Sequence, residues 1–176
     1  MNTYVALLRG INVGGNKKVS MAELRELFSN LGFSNVRTYI NSGNVLFDGK
    51  QVSMKAIEMA IKQRFGFAVP TLVVPVSSLR AVVKATPEMW HNDQLQKVDV
   101  LFLWPPYNTK TVLKTMPLVA GVDETLFVAE TVVWRVERTK QNKSYMQKGF
   151  IGSEVYRHMT ARNINTVRKL VSLVGE

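Results

Sequence analysis

The alternation of apolar and polar residues predicts six elements in the first half of the chain. Ser20-Met21-Ala22-Glu23 has the capping-box pattern that begins a helix. The order β-α-β-β-α-β is that of the split, ferredoxin-like motif, with both helices on one face of an antiparallel sheet. The predicted elements are a strand at Tyr4–Leu8, a helix from Ser20 to Gly32, a hairpin over Val36–Phe47 turning at Ser42-Gly43, a helix from Ser53 to Gly66 and a strand at Val69–Val76.

The second half of the chain begins with a similar pattern. We expect a strand at Val98–Leu103, a helix at Thr109–Met116, a hairpin turning near Glu130-Thr131 and a last helix over Asn163–Val174. The order β-α-β-β-α-α is that of a degenerate repeat. The predicted fold class is therefore α+β, with two ferredoxin-like subdomains of antiparallel sheets, the second degenerate and followed by C-terminal helices. The expected boundaries are 1–86 for the first subdomain with a connecting helix, 87–97 for a linker and 98–176 for the second subdomain.

Composition narrows the class of protein. The 176 residues include no cysteine, which excludes disulfides, thiolate metal ligands and a cysteine nucleophile. Arg9 interrupts the first apolar run too early for a signal peptide. The longest uncharged run contains Pro70 and Pro75 and is too short to cross a bilayer. We therefore expect a cytoplasmic protein without a membrane partner.

The net charge of +10 is concentrated in two stretches. Residues 1–20 carry three basic residues and no acid, and residues 135–169 carry nine basic residues against two acids. The remaining residues are balanced, with 11 basic and 11 acidic side chains. Localised positive charge attracts anionic partners. A solvated basic face that only aids solubility is the alternative interpretation.

The first of these stretches includes a glycine-rich loop, Gly10–Lys18, between a strand and a helix N-terminus. Free backbone N–H groups, glycines and lysines together can hold an anion. Gly10 and Gly15 have the spacing of a phosphate-binding loop, but Asn16 stands at its lysine position and Lys17 comes one residue late. The loop therefore favours anion binding over nucleotide hydrolysis, and a simple connector is the alternative.

Two further polar clusters are candidates for binding. In the first, Asn41, Ser42 and Asn44 surround the hairpin turn, where such residues can contact a ligand or simply satisfy the turn backbone. The second is the segment Thr160–Leu170. If this segment is helical from Asn163, its members Arg162, Thr166 and Lys169 fall near one face. An ordinary exposed helix face is the alternative.

The sequence contains few of the motifs that are typical of catalytic or metal sites. The two histidines, His91 and His158, are far apart, and no H-x-x-x-H or G-x-S-x-G motif occurs. We therefore expect no metal and no cofactor. The strand Asn44–Phe47 contains one aromatic residue and lacks the signature of an RNA-recognition domain, which leaves phosphate-only contacts as the mode of nucleic-acid binding.

Three segments together resemble a bacterial family known as domain of unknown function 1697. They are Leu8–Gly15 with the helix that follows, Tyr39–Val45, and Thr160–Val167. Ile164 stands where the family usually has a tryptophan, so this chain lacks the aromatic side chain at that position. The resemblance covers essentially the whole chain. It implies a two-subdomain α+β fold with ferredoxin-like halves in a bacterial cytoplasmic protein, and it implies no activity.

The leading hypothesis is a non-catalytic protein that binds a phosphate-bearing metabolite, a nucleotide or a nucleic-acid backbone at one site. One alternative is an enzyme without metal or cofactor that acts on a small anionic substrate, with Ser42 or Tyr39 as nucleophile or acid. Another is a scaffold for an acidic protein partner, which requires an apolar patch beside the basic face. The candidate ligand-binding residues are Arg9, Asn12, Lys17, Lys18, Asn41, Ser42, Asn44, Arg162, Asn163, Thr166 and Lys169.

Overall fold

The chain divides into two compact units, Met1–Val76 and Ser77–Glu176. The computed structural model describes residues 2–15 and 17–175. Each unit contains one four-stranded antiparallel sheet with helices, so the α+β class is confirmed. The expected boundaries kept residues 77–86 with the first subdomain, whereas the observed boundary falls at residue 76. Among the described residues, no helix is long and apolar enough to cross a membrane.

The first unit contains two helices and one sheet. The sheet order is β2-β3-β1-β4, and every neighbouring pair is antiparallel. The elements are β1 (Asn2–Leu8), α1 (Met21–Asn30), β2 (Ser34–Tyr39), β3 (Asn44–Gly49), α2 (Met54–Phe65) and β4 (Thr71–Pro75).

Both helices of the first unit contribute to one apolar core with a single face of the sheet. Alternate strand residues such as Ala6 and Phe47 point into this core and are fully buried. Ser20 caps α1 by accepting a hydrogen bond from the Glu23 backbone N–H at 3.4 Å. The Glu23 carboxylate accepts a hydrogen bond from Arg64 on α2 at 2.7 Å. The helix starts therefore form where the sequence predicts them.

The sheet of the second unit has the strand order β6-β7-β5-β8 and is also entirely antiparallel. Counted within each unit, both sheets have the order second, third, first and fourth strand. A six-residue 3₁₀ helix, Arg138–Lys143, follows β7. The other elements are α3 (Val76–Ala85, whose first residue belongs to the first unit), β5 (Gln96–Leu103), α4 (Val112–Thr115), β6 (Glu124–Val128), β7 (Thr131–Glu137), α5 (Tyr145–Lys148), α6 (Glu154–Arg157), β8 (Met159–Asn163) and α7 (Ile164–Ser172).

One prediction for the second unit was wrong, and another was off by a single residue. The segment before α7 is an edge strand, β8, where the predicted order β-α-β-β-α-α has a helix, because its backbone pairs with β5 from Met159 to Asn163. The second hairpin turns at Ala129-Glu130, one residue earlier than expected, and both residues have positive φ (47° and 61°). Two successive positive φ values are typical of the tight turn whose twist matches that of the flanking strands.

The Asp123 carboxylate joins three segments of the second unit. Its oxygens accept hydrogen bonds from the Trp134 indole at 2.9 Å, from the Val119 N–H at 2.9 Å, from the Tyr145 N–H at 3.1 Å and from the Ser144 hydroxyl. Burial by itself would raise the pKa of Asp123, but these hydrogen bonds outweigh it and leave the pKa below its usual value of 3.8. The ionised carboxylate is therefore the form that the fold stabilises.

We expect Asp123→Asn to lower the free energy of unfolding by about 1–3 kcal/mol, because the amide keeps one acceptor oxygen and replaces the other by an NH2 group, which can only donate. Urea unfolding at pH 7 measures the loss. A carboxyl group with a depressed folded-state pKa contributes stability that is present above its unfolded-state pKa and is lost as pH falls through the folded-state value. The difference between wild type and variant should therefore shrink below about pH 4.

The control is the neighbouring substitution Glu124→Gln. Glu124 forms an ion pair with Arg135 at the surface, and its side chain is 51% exposed. Such pairs contribute about 0–1 kcal/mol. Equal losses for the two variants would contradict the anchoring role of Asp123.

Candidate functional site

The side chain of Asn12 connects the glycine-rich loop to its surroundings in the first unit. Its amide nitrogen donates to the carbonyl oxygens of Val19 (3.0 Å) and Asn41 (2.9 Å), and its oxygen accepts from the Val19 N–H (2.8 Å). The Asn12 backbone N–H also donates to the Lys17 carbonyl across the loop at 3.2 Å. Asn12 therefore positions the loop, the entry of α1 and the β2–β3 turn relative to one another.

The β2–β3 turn is held from within by Asn44. This side chain is fully buried and donates to the Tyr39 carbonyl and to the Ser42 hydroxyl, both at 3.0 Å. Gly43 lies against the start of the loop, and its carbonyl accepts from the Leu8 N–H at 2.9 Å. Of the predicted turn residues, Asn41 and Ser42 are exposed, whereas Asn44 is placed to support the turn.

The side chains of the adjacent residues Lys17 and Lys18 have different surroundings. The Lys17 ammonium donates to the Ala68 carbonyl at 3.4 Å, near the start of β4. Lys18 is exposed and lines an open depression of about 620 Å³ beside the N-terminus of α1. The residues that line this depression are Asn12, Gly15, Lys18, Val19, Ser20, Met21, Glu23 and Asn41.

The depression combines several groups that suit an anion. Lys18 supplies a positive charge, and the first turn of the ten-residue helix α1 supplies backbone N–H groups and the positive end of its dipole. Gly15 also lines this space, and its φ of +77° is a left-handed conformation that favours glycine. The structure thus brings Asn12, Lys18 and Asn41, which are distant in sequence, around one depression.

Arg9 precedes the loop and is half-buried. Its backbone N–H donates to the Pro70 carbonyl at 2.9 Å, which joins the end of β1 to the segment before β4. Asn16, which stands at the lysine position of a phosphate-binding loop, lies outside the described residues.

The C-terminal cluster belongs to the second unit. Arg162 lies on β8 and is only 7% exposed, and its guanidinium donates to the Thr160 hydroxyl (2.9 Å) and to the Ala161 carbonyl (2.7 Å). Burial lowers the pKa of Arg162 to about 10. The prediction that Arg162 shares a helix face with Thr166 and Lys169 was wrong, because the helix begins only at Ile164.

The remaining members of this cluster lie at the start of α7 or along it. Asn163 is the N-cap of α7 and accepts from the Asn165 N–H at 2.7 Å. Thr166 is half-buried and Lys169 is exposed. That these residues contact the same ligand as the glycine-rich loop stays a prediction.

The predicted linker makes hydrogen bonds to α7. The Asn165 side chain donates to the Asn92 carbonyl at 2.9 Å, and Arg168 bonds the His91 ring at 3.0 Å. His91 thus has a hydrogen-bond partner in α7. Among the described residues, no group of three or more His, Asp and Glu side chains is arranged to hold a metal ion.

Two charged residues line the depression, and sequence reasoning missed one of them, Glu23. Its position in the capping box already placed it in the first turn of α1, directly after the loop. It was interpreted only as a helix-starting residue. The same motif therefore contained the signal that an acidic residue lines the same depression as Lys18.

Comparisons with known proteins agree with this two-unit architecture. The family described as "Protein of unknown function (DUF1697)" matches residues 1–134. A solved structure of a conserved bacterial protein from Streptococcus pneumoniae is similar, with 29% identity, a TM-score of 0.80 and coverage of 98% of each chain. Among curated proteins, none matches the chain.

We expect Gly43→Ala to destabilise the first unit, because the new Cβ would lie 2.7 Å from Leu8 Cβ and 2.8 Å from Ile11 Cδ1. The backbone at Gly43 also has φ +76°. The combined cost should exceed that of the left-handed conformation alone by about 1–3 kcal/mol. Urea unfolding measures it.

Gly32→Ala is the matched control. Gly32 has φ +84°, and a Cβ there would meet nothing within 4 Å, so this variant carries only the backbone cost of about 1–2 kcal/mol. If both variants lost the same stability, close packing of the turn against the loop would not be the reason for glycine at position 43.

Proposed function

We propose that this chain, which belongs to the DUF1697 family of proteins of unknown function, is a non-catalytic binding protein for an anionic ligand. The ligand classes are a phosphate-bearing metabolite, a nucleotide or a nucleic-acid backbone. The anionic group would occupy the depression beside the N-terminus of α1. The observation that carries the proposal is the exposed Lys18 on the wall of that depression.

The support from the surrounding residues is geometric. The Asn12 side chain forms hydrogen bonds with Val19 at the entry of α1 and with Asn41 in the turn, so it holds the loop in place relative to both. Lys18 and Asn41 are both exposed on the wall of the depression, where a cation and an amide can contact a phosphate or carboxylate. In this proposal Asn12 and Asn44 are positioning residues, and Lys18 and Asn41 contact the ligand.

We also propose that both units are ferredoxin-like. Numbered within each unit, both sheets have the strand order second, third, first, fourth. In the second unit, residues 138–158 form one 3₁₀ helix and two four-residue helices between the third and fourth strands, where the first unit has the single helix α2. This replacement would account for the degenerate appearance of the second half.

A scaffold for an acidic protein partner is the second candidate function, and exposed apolar residues in the same two segments favour it. Val13 is 70% exposed in the glycine-rich loop, and Ile40 is 49% exposed in the β2–β3 turn. Ile40 also has φ +50°, a conformation that is unfavourable for a β-branched residue. An isoleucine that costs stability and remains exposed is consistent with selection for a contact.

We expect Lys18→Ala to weaken the binding of inorganic pyrophosphate about three- to tenfold, because one cation at the anion is lost. Isothermal titration at about 0.15 M ionic strength measures the dissociation constant. Raising the salt concentration should narrow the difference between wild type and variant, since salt screens exposed charges.

Lys50→Ala is the matched control for charge. Lys50 is exposed and follows β3, whose other end begins at Asn44 beside the turn. Six strand residues separate the two ends by roughly 17–20 Å, about two Debye lengths at physiological salt. Equal weakening by both variants would indicate a general charge effect and would contradict the site.

We expect Ile40→Asn to raise the free energy of unfolding by about 0.5–1 kcal/mol, because asparagine tolerates positive φ better than isoleucine. Under the scaffold function, the same variant should weaken association with polyglutamate while leaving pyrophosphate binding unchanged. Urea unfolding and titration with polyglutamate measure the two effects. Association that did not change in the stabilised variant would remove the support that Ile40 gives to the scaffold function.

A further inference from the structure

One edge strand of the second sheet, β6, has backbone groups that are open to a further strand. In the sheet order β6-β7-β5-β8, it pairs with a described strand on one side only. Thr125 on β6 lies opposite Trp134 on β7, and Phe127 lies opposite Val132. The backbone groups of β6 that face outward belong to the pairs that exchange no hydrogen bonds with β7.

The tight turn at Ala129-Glu130 identifies those outward groups. The pair that closes it, Val128 and Thr131, lies across a two-residue turn and is joined by the hydrogen bond of that turn. Hydrogen-bonded and non-hydrogen-bonded pairs alternate along an antiparallel ladder. The pairs of Thr125 and Phe127 are therefore of the second kind, and the N–H and C=O groups of these two residues point away from β7.

The hydrogen bonds on the other side of β7 agree with this assignment. The Arg138 N–H donates to the Leu95 carbonyl at 2.8 Å, in register with the β5–β7 ladder. Every second residue back along β7 bonds β5 in the same way, so Trp134 and Val132 exchange hydrogen bonds with β5 and not with β6. Among the described residues, no group bonds the outward N–H and C=O groups of β6.

The other three edge strands of the described sheets carry features that hinder the addition of a strand. β2 has a register shift between Ser34 and Arg37. β4 follows Pro70 and ends at Pro75, and neither proline has an N–H to donate. β8 carries the buried charge of Arg162. β6, in contrast, is uncharged after its first residue, keeps one register throughout and contains no proline.

The sequence of β6 fits a second copy of itself. In an antiparallel pairing centred on Leu126, Thr125 of each copy lies opposite Phe127 of the other, so every outward N–H and C=O group is matched. A β-branched residue opposite an aromatic one is a favourable cross-strand pair. The one charged residue of the strand, Glu124, lies opposite Val128, so no like charges face each other.

We propose that β6 is a self-association surface at which two copies of the chain pair about a twofold axis and make their four-stranded second sheets continuous. The pairing occupies the β6 edge of both copies, so the assembly closes at two. A contact over five residues is small beside a standard protein interface, so the dimer is weak and depends on concentration. This inference does not depend on the proposed anion-binding function, because it concerns a strand of the other unit.

An engineered disulfide tests the register, because the chain contains no cysteine of its own. At the twofold axis, the two Leu126 residues form a non-hydrogen-bonded pair with Cα atoms about 4.5 Å apart, and a disulfide spans about 4.4–6.8 Å. We expect Leu126→Cys to form covalent dimers under copper–phenanthroline oxidation about tenfold faster than Leu95→Cys, because pairing raises the effective concentration of the thiols. Leu95 is the control because it is 79% exposed just before β5, where thiols would meet only by collision. Non-reducing electrophoresis measures both rates.

A proline substitution distinguishes strand pairing from simple exposure of the thiol. Thr125→Pro, added to Leu126→Cys, removes an outward N–H but no hydrogen bond to β7, and should lower the cross-linking rate to that of Leu95→Cys. Thr125→Val, which keeps the N–H and the β-branched shape, is the matched control and should leave the rate unchanged. Circular dichroism checks that both variants are folded.

Sedimentation equilibrium of the unmodified chain is an independent measurement. The average mass should rise with protein concentration, and it should rise further with salt, because salt screens the repulsion between two chains of net charge +10. A chain that stays monomeric up to about 1 mM would overturn the inference. The same holds if Leu126→Cys cross-links no faster than Leu95→Cys, or if fast cross-linking survives Thr125→Pro.

Discussion

The first unit depends on the three hydrogen bonds of one neutral amide. Asn12 donates to Val19 and to Asn41 and accepts from the Val19 N–H, so a single side chain fixes the glycine-rich loop to two other segments. Only a primary amide offers two donors and an acceptor in this planar arrangement. An aspartate at this position would lose both donors, and an apolar residue would lose all three bonds. The position of Lys18 relative to Asn41 follows from this constraint.

The distribution of charge has a different meaning in the folded chain than in the sequence. Much of the positive charge of residues 135–169 is engaged within the second unit. Three of its basic residues form ion pairs, namely Arg135 with Glu124, Lys140 with Glu137 and Arg157 with Glu154. Arg162 is buried in the sheet. Glu137 and Glu154 are already subtracted in the net charge of this segment. The pair with Glu124 and the burial of Arg162 are therefore what make that net charge overstate the positive surface.

The sequence predicted those parts of the fold that depend on local signals. The serine caps of α1 and α2, the left-handed Gly66 after α2 and the first hairpin all lie within a few residues of the motif that indicates them. Strand β8 was missed because Thr160 and Arg162 are polar yet buried, so the apolar alternation that marks a strand is absent. Their burial depends on pairing with β5, about 60 residues earlier in sequence, which no local pattern reveals.

The same distinction applies to the candidate site. Lys18 and Asn41 were both predicted, because glycines, lysines and turn asparagines have a recognisable chemistry in sequence. Glu23 was not, because its place in the capping box already explained it, although the structure puts this residue on the same depression as Lys18. A residue that satisfies one local rule of helix capping can therefore also line a candidate binding site, and no local pattern distinguishes the two roles.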